Sequence, residues 1–305
     1  MSGQARVVFF GTPDFAVPAL RALAEAPWAQ VVGVVTQPDR PAGRRRVMTA
    51  PPVKRAAEAL GIQVLQPDRV RRPEVLEAIA RLAPDVCVTA AYGQILPQRL
   101  LDLPRFGCVN VHASLLPRWR GAAPIHRAIL AGDERTGVTL MEMVAALDAG
   151  PILGVREVDI LPEDDAGTLH DRLAEAGASL LLELLPEYLA GRLVPRPQPE
   201  EGVTYADRIT RADEWISFDR PMRLVHNQVR GLRPYPGAAA AVEGAVVKVW
   251  RTHPGPLGEP SADAPGTVRR LPSCGVAVRC ADGWLVLDEV QPEGRRRMPA
   301  EDWWR

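Results

Sequence analysis

The sequence predicts an α/β protein: a doubly wound, mostly parallel sheet, followed along the chain by a small β-barrel. Three observations predict it. Through the first half, short and continuously apolar runs alternate with segments of helical spacing, the pattern of strands covered on both faces by crossover helices. A break at 192–202 (RLVPRPQPEEG) then carries three prolines in eleven residues and no apolar periodicity. Beyond it, short β runs are spaced by turns rich in Pro and Gly.

In order, residues 6–11 (RVVFFG) read as a strand ended by glycine, 17–26 as a helix with Pro18 in its first turn, and 31–36 (VVGVVT) as the next strand. Further strands are expected at 62–65, 85–91, 109–112 and 138–143, with helices between them at 53–60, 73–82 and 123–131. A longer helix over 165–190 sets Leu169, Leu173, Ala176, Leu180 and Leu184 on one face; Pro186 is expected to kink or break it and Gly191 to stop it. After the break come a helix at 221–231 and strands at 246–251, 275–280 and 284–290. The division this predicts is a first domain over 1–191, a linker at 192–204 and a second domain over 205–305.

The totals exclude more than they identify. A chain of 305 residues, 47% hydrophobic, is long enough for two packed cores. With 37 basic and 37 acidic residues, no global charge advertises a nucleic-acid partner, so any such contact must be local. Cys87, Cys108, Cys274 and Cys280 show neither CxxC spacing nor a histidine cluster, so neither a disulfide framework nor a metal site is expected. The amino-terminal apolar run is too short for a signal peptide or a membrane span, and a cytoplasmic chain without a membrane partner is expected. No long heptad is visible, which favours a monomer.

The glycine turn after the first strand lacks a dinucleotide fingerprint: Gly11 is followed by Thr12, Pro13, Asp14 and Phe15, without the second and third glycines. The stretch at 107–124 (GCVNVHASLLPRWRGAAP) is more informative. In an extended run, Asn110 and His112 point to one face and Val109 and Val111 to the other. Polar groups at the carboxyl end of a strand are where open α/β sheets place active sites. Asp148, between an apolar strand and a glycine turn, is expected at the same crevice. An amide donor, an imidazole and a carboxylate form a coherent set for stabilising an oxyanion and moving a proton. By spacing alone, Asn110 and His112 could equally be strand residues satisfied by backbone, and Asp148 a turn residue. No GxSxG elbow surrounds Ser114.

Several runs carry a resemblance. GTPDFAVPAL at 11–20, TQPDRPAGR at 36–44, AYGQILP at 91–97, NVHASLLPRWRGAAPI at 110–125 and LDAG at 147–150 are similar to the methionyl-tRNA formyltransferase family. HNQVRGLRPYPGA at 226–238 and VLDEVQPEGRRRM at 286–298 resemble that family's carboxy-terminal domain, so nearly the whole chain is covered. The resemblance implies a Rossmann-like formyltransferase domain followed by a small OB-like barrel that binds tRNA. It implies transfer of a formyl group from 10-formyltetrahydrofolate, as co-substrate, to the methionyl amine of initiator tRNA.

Residue by residue, the family's catalytic set falls on Asn110, His112 and Asp148, and its folate turn on Ser114, Leu115, Leu116 and Pro117. Tyr92, Gly93, Gln94, Ile95 and Leu96 are expected to wall the pterin pocket. The tRNA loop falls on Arg40, Arg44, Arg45 and Arg46; the chain departs there, with Arg45, Arg46 and Val47 where the family commonly has glycine and lysines. The donor is already activated, so no metal is implied. Three other functions fit parts of the pattern: a formyltransferase or hydrolase acting on a small amine or water, a non-catalytic RNA-binding protein, and a nucleotide-dependent oxidoreductase.

Overall fold

The computed structural model describes residues 3–43, 46–242, 244–257 and 262–304. The chain divides into two compact units. The amino-terminal unit comprises Met1–Gly121, Arg135–Asp159 and His170–Tyr205; the carboxy-terminal unit comprises Ala122–Glu134, Ile160–Leu169 and Ala206–Arg305. Two segments from the expected first domain, Ala122–Glu134 and Ile160–Leu169, therefore belong to the carboxy-terminal unit.

The amino-terminal unit is built on β1 (Ala5–Gly11), β2 (Ala29–Val35), β3 (Arg40–Ala42), β4 (Val47–Thr49), β5 (Val64–Leu65), β6 (Val86–Ala90), β7 (Cys108–His112), β8 (Arg120–Gly121), β9 (Arg135–Glu142) and β10 (Ile152–Asp159). Its helices are α1 (Val17–Glu25), α2 (Pro52–Ala59), α3 (Pro73–Arg81) and the short α4 (Gln98–Leu101). A seven-stranded sheet runs β10-β9-β7-β6-β1-β2-β5. The strands from β5 to β7 are parallel, whereas β9 is antiparallel to β7 and β10 to β9. Strand order reverses at the β1–β6 pair, the kind of position beside which open α/β sheets bind their ligands.

The strands follow from their sequence. β6 is buried at every position and β1 at nearly every one, so each reads as an unbroken apolar run. β10 was not expected. Its burial alternates because it is an edge strand with one wet face, and ILGVREVD carries too few apolar residues to announce it. The basic loop expected after residue 36 folds as a hairpin of β3 and β4.

The carboxy-terminal unit contains α5 (Pro124–Ala131), the first turn of α6 (Ala166–Leu189), α7 (Arg211–Glu214), α8 (Met222–Gly231) and α9 (Ala300–Trp304). β11 (Tyr205–Ala206) lies where the chain passes from the first unit to the second. The main sheet of the carboxy-terminal unit is antiparallel, formed by β12 (Ala238–Val242), β13 (Ala245–Leu257), β14 (Val268–Leu271), β15 (Gly275–Arg279), β16 (Gly283–Pro292) and β17 (Met298–Pro299). Val225, Val229 and Leu232 of the α8 region close its core against Val247, Val249, Val276, Val278, Leu285 and Val290.

One expectation is corrected. α6 is not broken at Pro186 but continues to Leu189: the proline removes one i→i−4 hydrogen bond from the last turn, and buried Leu185 and Leu189 hold that turn down. The helix then stops at Gly191, whose φ of 72° most side chains avoid. The proline-rich run is held at one point. Arg196 exchanges both backbone hydrogen bonds with Ile152, at 2.7 and 2.9 Å, so the run lies as a strap on the sheet edge.

Candidate functional site

β7 carries the first two polar groups, Asn110 and His112, toward its carboxyl end. Thr89, Asn110 and Met141 are neighbours across β6, β7 and β9, and His112 stands opposite Thr139. The Thr89 hydroxyl donates to Asn110 Oδ1 at 2.7 Å. The acceptor end of the Asn110 amide is thereby occupied, while its Nδ2 hydrogens have no protein partner among the described residues. Thr89 was not foreseen, although a lone hydroxyl within a wholly apolar strand was its signal.

His112 is buried, and its Nε2 lies 2.9 Å from the Trp119 carbonyl oxygen. A carbonyl only accepts, so Nε2 carries a hydrogen there. The nitrogen that can exchange a proton is Nδ1, which faces Asp148 Oδ2 at 3.7 Å. That carboxylate oxygen also accepts the Gly121 backbone N–H at 2.8 Å. Asp148 itself has a left-handed φ of 45° and Trp119 one of 63°, so two non-glycine residues beside the imidazole sit in a sparsely populated region. Asn110, His112 and Asp148 are thus brought together as expected.

The turn at 114–117 is fixed from inside. Ser114 is fully buried and its hydroxyl donates to the Arg118 carbonyl at 2.7 Å. Leu116 is buried, with Leu115 and Pro117 partly exposed. In the 92–96 segment, Tyr92 and Leu96 enter the core, Tyr92 meeting Phe10 edge-on. Burial pushes the Tyr92 phenol well above its ordinary range, and its oxygen finds no hydrogen-bond partner among the described residues. Gln94 accepts from the Val70 N–H at 2.8 Å and donates to the Pro67 carbonyl at 3.2 Å, so it ties two loops together. Only Gly93 and Ile95 face outward, and Ile95 is 86% exposed.

In the basic hairpin, Arg40 donates to Gln37 Oε1 at 3.2 Å, and Arg46 is exposed with a φ of 49°. Arg44 and Arg45 lie outside the described residues. Hydrogen bonds from Gln66 and then Lys54 hold the Asp39 carboxyl below its usual value at the base of the hairpin.

The strap contributes two groups that its composition hid. Thr204 Oγ1 accepts the Trp119 N–H at 2.9 Å. Gln198 Nε2 donates to the carbonyls of Asp148 and Gly150, at 2.8 and 2.9 Å. Two surface hollows, lined by Arg270, Ser273, Cys274 and Glu301 and by Glu157, Asp171, Arg172 and Glu175, contain none of the candidate residues. Among the described residues, no group of three or more His, Cys, Asp or Glu is gathered as metal ligands, and no helix is long and apolar enough to cross a membrane.

Residues 5–185 match the formyl transferase family, and 208–305 the formyl transferase C-terminal domain. The methionyl-tRNA formyltransferase of Halorhodospira halophila is 52% identical over 299 residues, covering 98% of this chain and 95% of its own. That of Bacillus subtilis (strain 168) is 50% identical over 301 residues, covering 98% of this chain and 94% of its own. Among solved structures, HypX from Aquifex aeolicus in complex with tetrahydrofolic acid shares the fold over 99% of this chain, with a TM-score of 0.64 at 18% identity. The chain spans 47% of HypX, about half its length.

Proposed function

The chain belongs to the methionyl-tRNA formyltransferase family, and from that premise we propose that Asn110, His112 and Asp148 carry the family's reaction here. The enzyme transfers the formyl group of 10-formyltetrahydrofolate to the α-amino group of methionine on initiator tRNA, giving the formylated tRNA used to begin translation. The observation that carries the site assignment is the 3.7 Å approach of Asp148 Oδ2 to His112 Nδ1. It occurs on the same side of the sheet as an asparagine amide with unengaged hydrogens.

The uncharged methionyl amine attacks the formyl carbon, and the carbonyl oxygen gains charge as that carbon becomes tetrahedral. Asn110 donates to the oxygen through Nδ2, because Thr89 occupies Oδ1. His112 serves through Nδ1, its Nε2 hydrogen being held by the Trp119 carbonyl. Asp148, anchored by the Gly121 N–H, orients the imidazole and helps move the amine proton toward the leaving nitrogen of the folate.

The folate turn is Ser114, Leu115, Leu116 and Pro117. Ser114 keeps the turn in shape from within, since its hydroxyl is already engaged. The exposed Ile95 and the open Gly93 backbone suit a flat pterin ring, whereas Tyr92, Gln94 and Leu96 support that wall from behind. Arg40, Arg44, Arg45 and Arg46 meet the acceptor end of the tRNA, where unpaired bases and phosphates are within reach of a basic loop. On this reading 1–191 is the catalytic domain, 192–204 the connection and 205–305 a tRNA-binding domain. The chain acts as a monomer in the cytoplasm.

The test is formyl transfer from labelled 10-formyltetrahydrofolate. Charged initiator tRNA is expected to be the acceptor, and small amines are not. Removing one oxyanion donor typically costs about 100- to 1000-fold in kcat, which sets the scale for Asn110→Ala; Asp148→Ala removes the carboxylate that orients the imidazole, and both variants should lower turnover far more than folate affinity. Turnover like that of the parent enzyme in either variant removes that residue from the mechanism.

A further inference from the structure

We propose that Gln198, in the proline-rich strap, is a positioning residue for the catalytic carboxylate; this rests on the reading of Asp148 as part of the catalytic set. All four hydrogen-bonding positions of its amide are used. Nε2 donates to the Asp148 carbonyl at 2.8 Å and to the Gly150 carbonyl at 2.9 Å. Oε1 accepts from Arg120, Nε at 3.1 Å and Nη2 at 2.7 Å.

The two carbonyls stand at either end of a three-residue turn whose first residue holds a left-handed φ of 45°. A conformation of that kind persists only where its surroundings over-determine it. One rigid amide spanning both ends supplies that determination. Without it the turn can relax, and the carboxylate moves with it.

The partners on the other side make the contact more than a tether. Arg120 lies between Trp119, whose carbonyl takes the His112 Nε2 hydrogen, and Gly121, whose N–H binds Asp148 Oδ2. The imidazole, the carboxylate and the amide of Gln198 are therefore all referenced to the same three residues. Gln198 closes this ring through the Arg120 guanidinium. The strap is itself held two residues earlier, where Arg196 pairs with Ile152. Gln198 touches no reacting atom and acts on the reaction only by fixing where Asp148 Oδ2 sits relative to His112 Nδ1.

Two variants separate this role from a simple tie. Gln198→Ala removes both halves of the contact. Gln198→Glu keeps an acceptor for Arg120 and loses the donors to the Asp148 turn. A displacement on the scale of an ångström costs on the order of 100-fold, so kcat with 10-formyltetrahydrofolate and charged initiator tRNA should fall about 10- to 100-fold in both variants. KM for each substrate should stay close to the parent value, so the loss falls on kcat; the melting temperature should drop modestly with the lost hydrogen bonds, while the protein stays folded at the assay temperature.

Adding Gln198→Ala to Asp148→Asn should lower the single-turnover rate no further, because the group being positioned is already disabled. The proposal is overturned by kcat within about two-fold of the parent in both variants, by full activity in Gln198→Glu alone, or by losses that multiply in the double variant. Should Asp148→Asn itself turn over like the parent, the catalytic reading of Asp148 fails, whatever Gln198 does. Should Asp148→Asn collapse while the Gln198 variants remain active, only the positioning role fails.

Discussion

At the scale of single residues, the site is held by hydroxyls that never face solvent. Thr139 on β9 is fully buried opposite His112; its Oγ1 accepts the Leu116 N–H at 3.1 Å and donates to the Ser114 carbonyl at 2.7 Å. One side chain therefore fixes both the entry and the middle of the 114–117 turn. Thr139→Val preserves the shape and strands two buried backbone groups. At about 1–3 kcal/mol for each unsatisfied group, the variant should lose on the order of 3 kcal/mol. Thr139→Ser should lose far less, because it keeps the hydroxyl. Thermal melting checks both, and parent-like melting of Thr139→Val would show that the turn does not need the bond. Thr89 works by the same logic: it decides which end of the Asn110 amide is free.

At the scale of elements, α6 lies against the strand that carries the site. A Cβ built on Gly177 would fall 2.7 Å from Val111 Cγ1, and Val111 sits between Asn110 and His112. Gly177→Ala should gain about 1 kcal/mol of helix propensity. Overpacking against a β-branched side chain held in a buried sheet typically costs about 1–3 kcal/mol. The net expectation is a modest loss of stability with a larger loss of kcat, since relief of the clash displaces β7. A stabilised variant with full turnover would show that β7 yields without moving the site.

What the sequence disclosed divides along the same physical line. β1, β6 and β7 are readable because both faces are buried, so apolar character is continuous. β10 is not, because half its side chains face water. Asn110 and His112 are readable as polar groups on a strand, whereas Asp148, expected at a strand end, lies in the loop between β9 and β10; the family resemblance selects all three from other polar residues. Gln198 and Thr204 are invisible to periodicity. They act from a proline-rich run whose backbone pairs with β10, and only tertiary structure brings them to the Asp148 turn and Trp119. Pro186 misleads for a related reason: its local cost is fixed by sequence, but the packing of Leu185 and Leu189 that offsets it is not.

At the scale of the whole molecule, equal numbers of acids and bases leave no net charge to exploit, so pH sensitivity comes from individual buried groups. In the carboxy-terminal unit, burial first, and then the nearby cations of Arg230, His253 and Arg233, lower His226 from 6.5 to about 4, against a smaller opposing pull from Asp288. Its Nδ1 lies 2.9 Å from Thr252 Oγ1. The unfolded chain takes up this proton as pH falls through about 6.5, whereas the folded unit resists until about 4. Stability therefore declines across that window and levels off below it. Between pH 7 and 5 the ceiling on this loss is about 2 kcal/mol, from 1.36 kcal/mol for each pH unit over which only the unfolded state binds the proton. Asp213 acts lower in the range: its hydrogen bond from Arg127 leads the causes that lower its carboxyl from 3.8 to about 2, so its contribution is complete above 3.8 and is lost as pH falls toward 2. The two windows do not overlap, and of these two groups it is His226 that acts in mild acid. Trp215, Trp250, Trp284, Trp303 and Trp304, five of the seven tryptophans, belong to this unit, so fluorescence-monitored urea unfolding reports chiefly on it. Its midpoint should drop from pH 7 to pH 5 in the parent and markedly less in His226→Gln, which has no proton to bind; equal drops in the two proteins would move the acid sensitivity elsewhere in the fold.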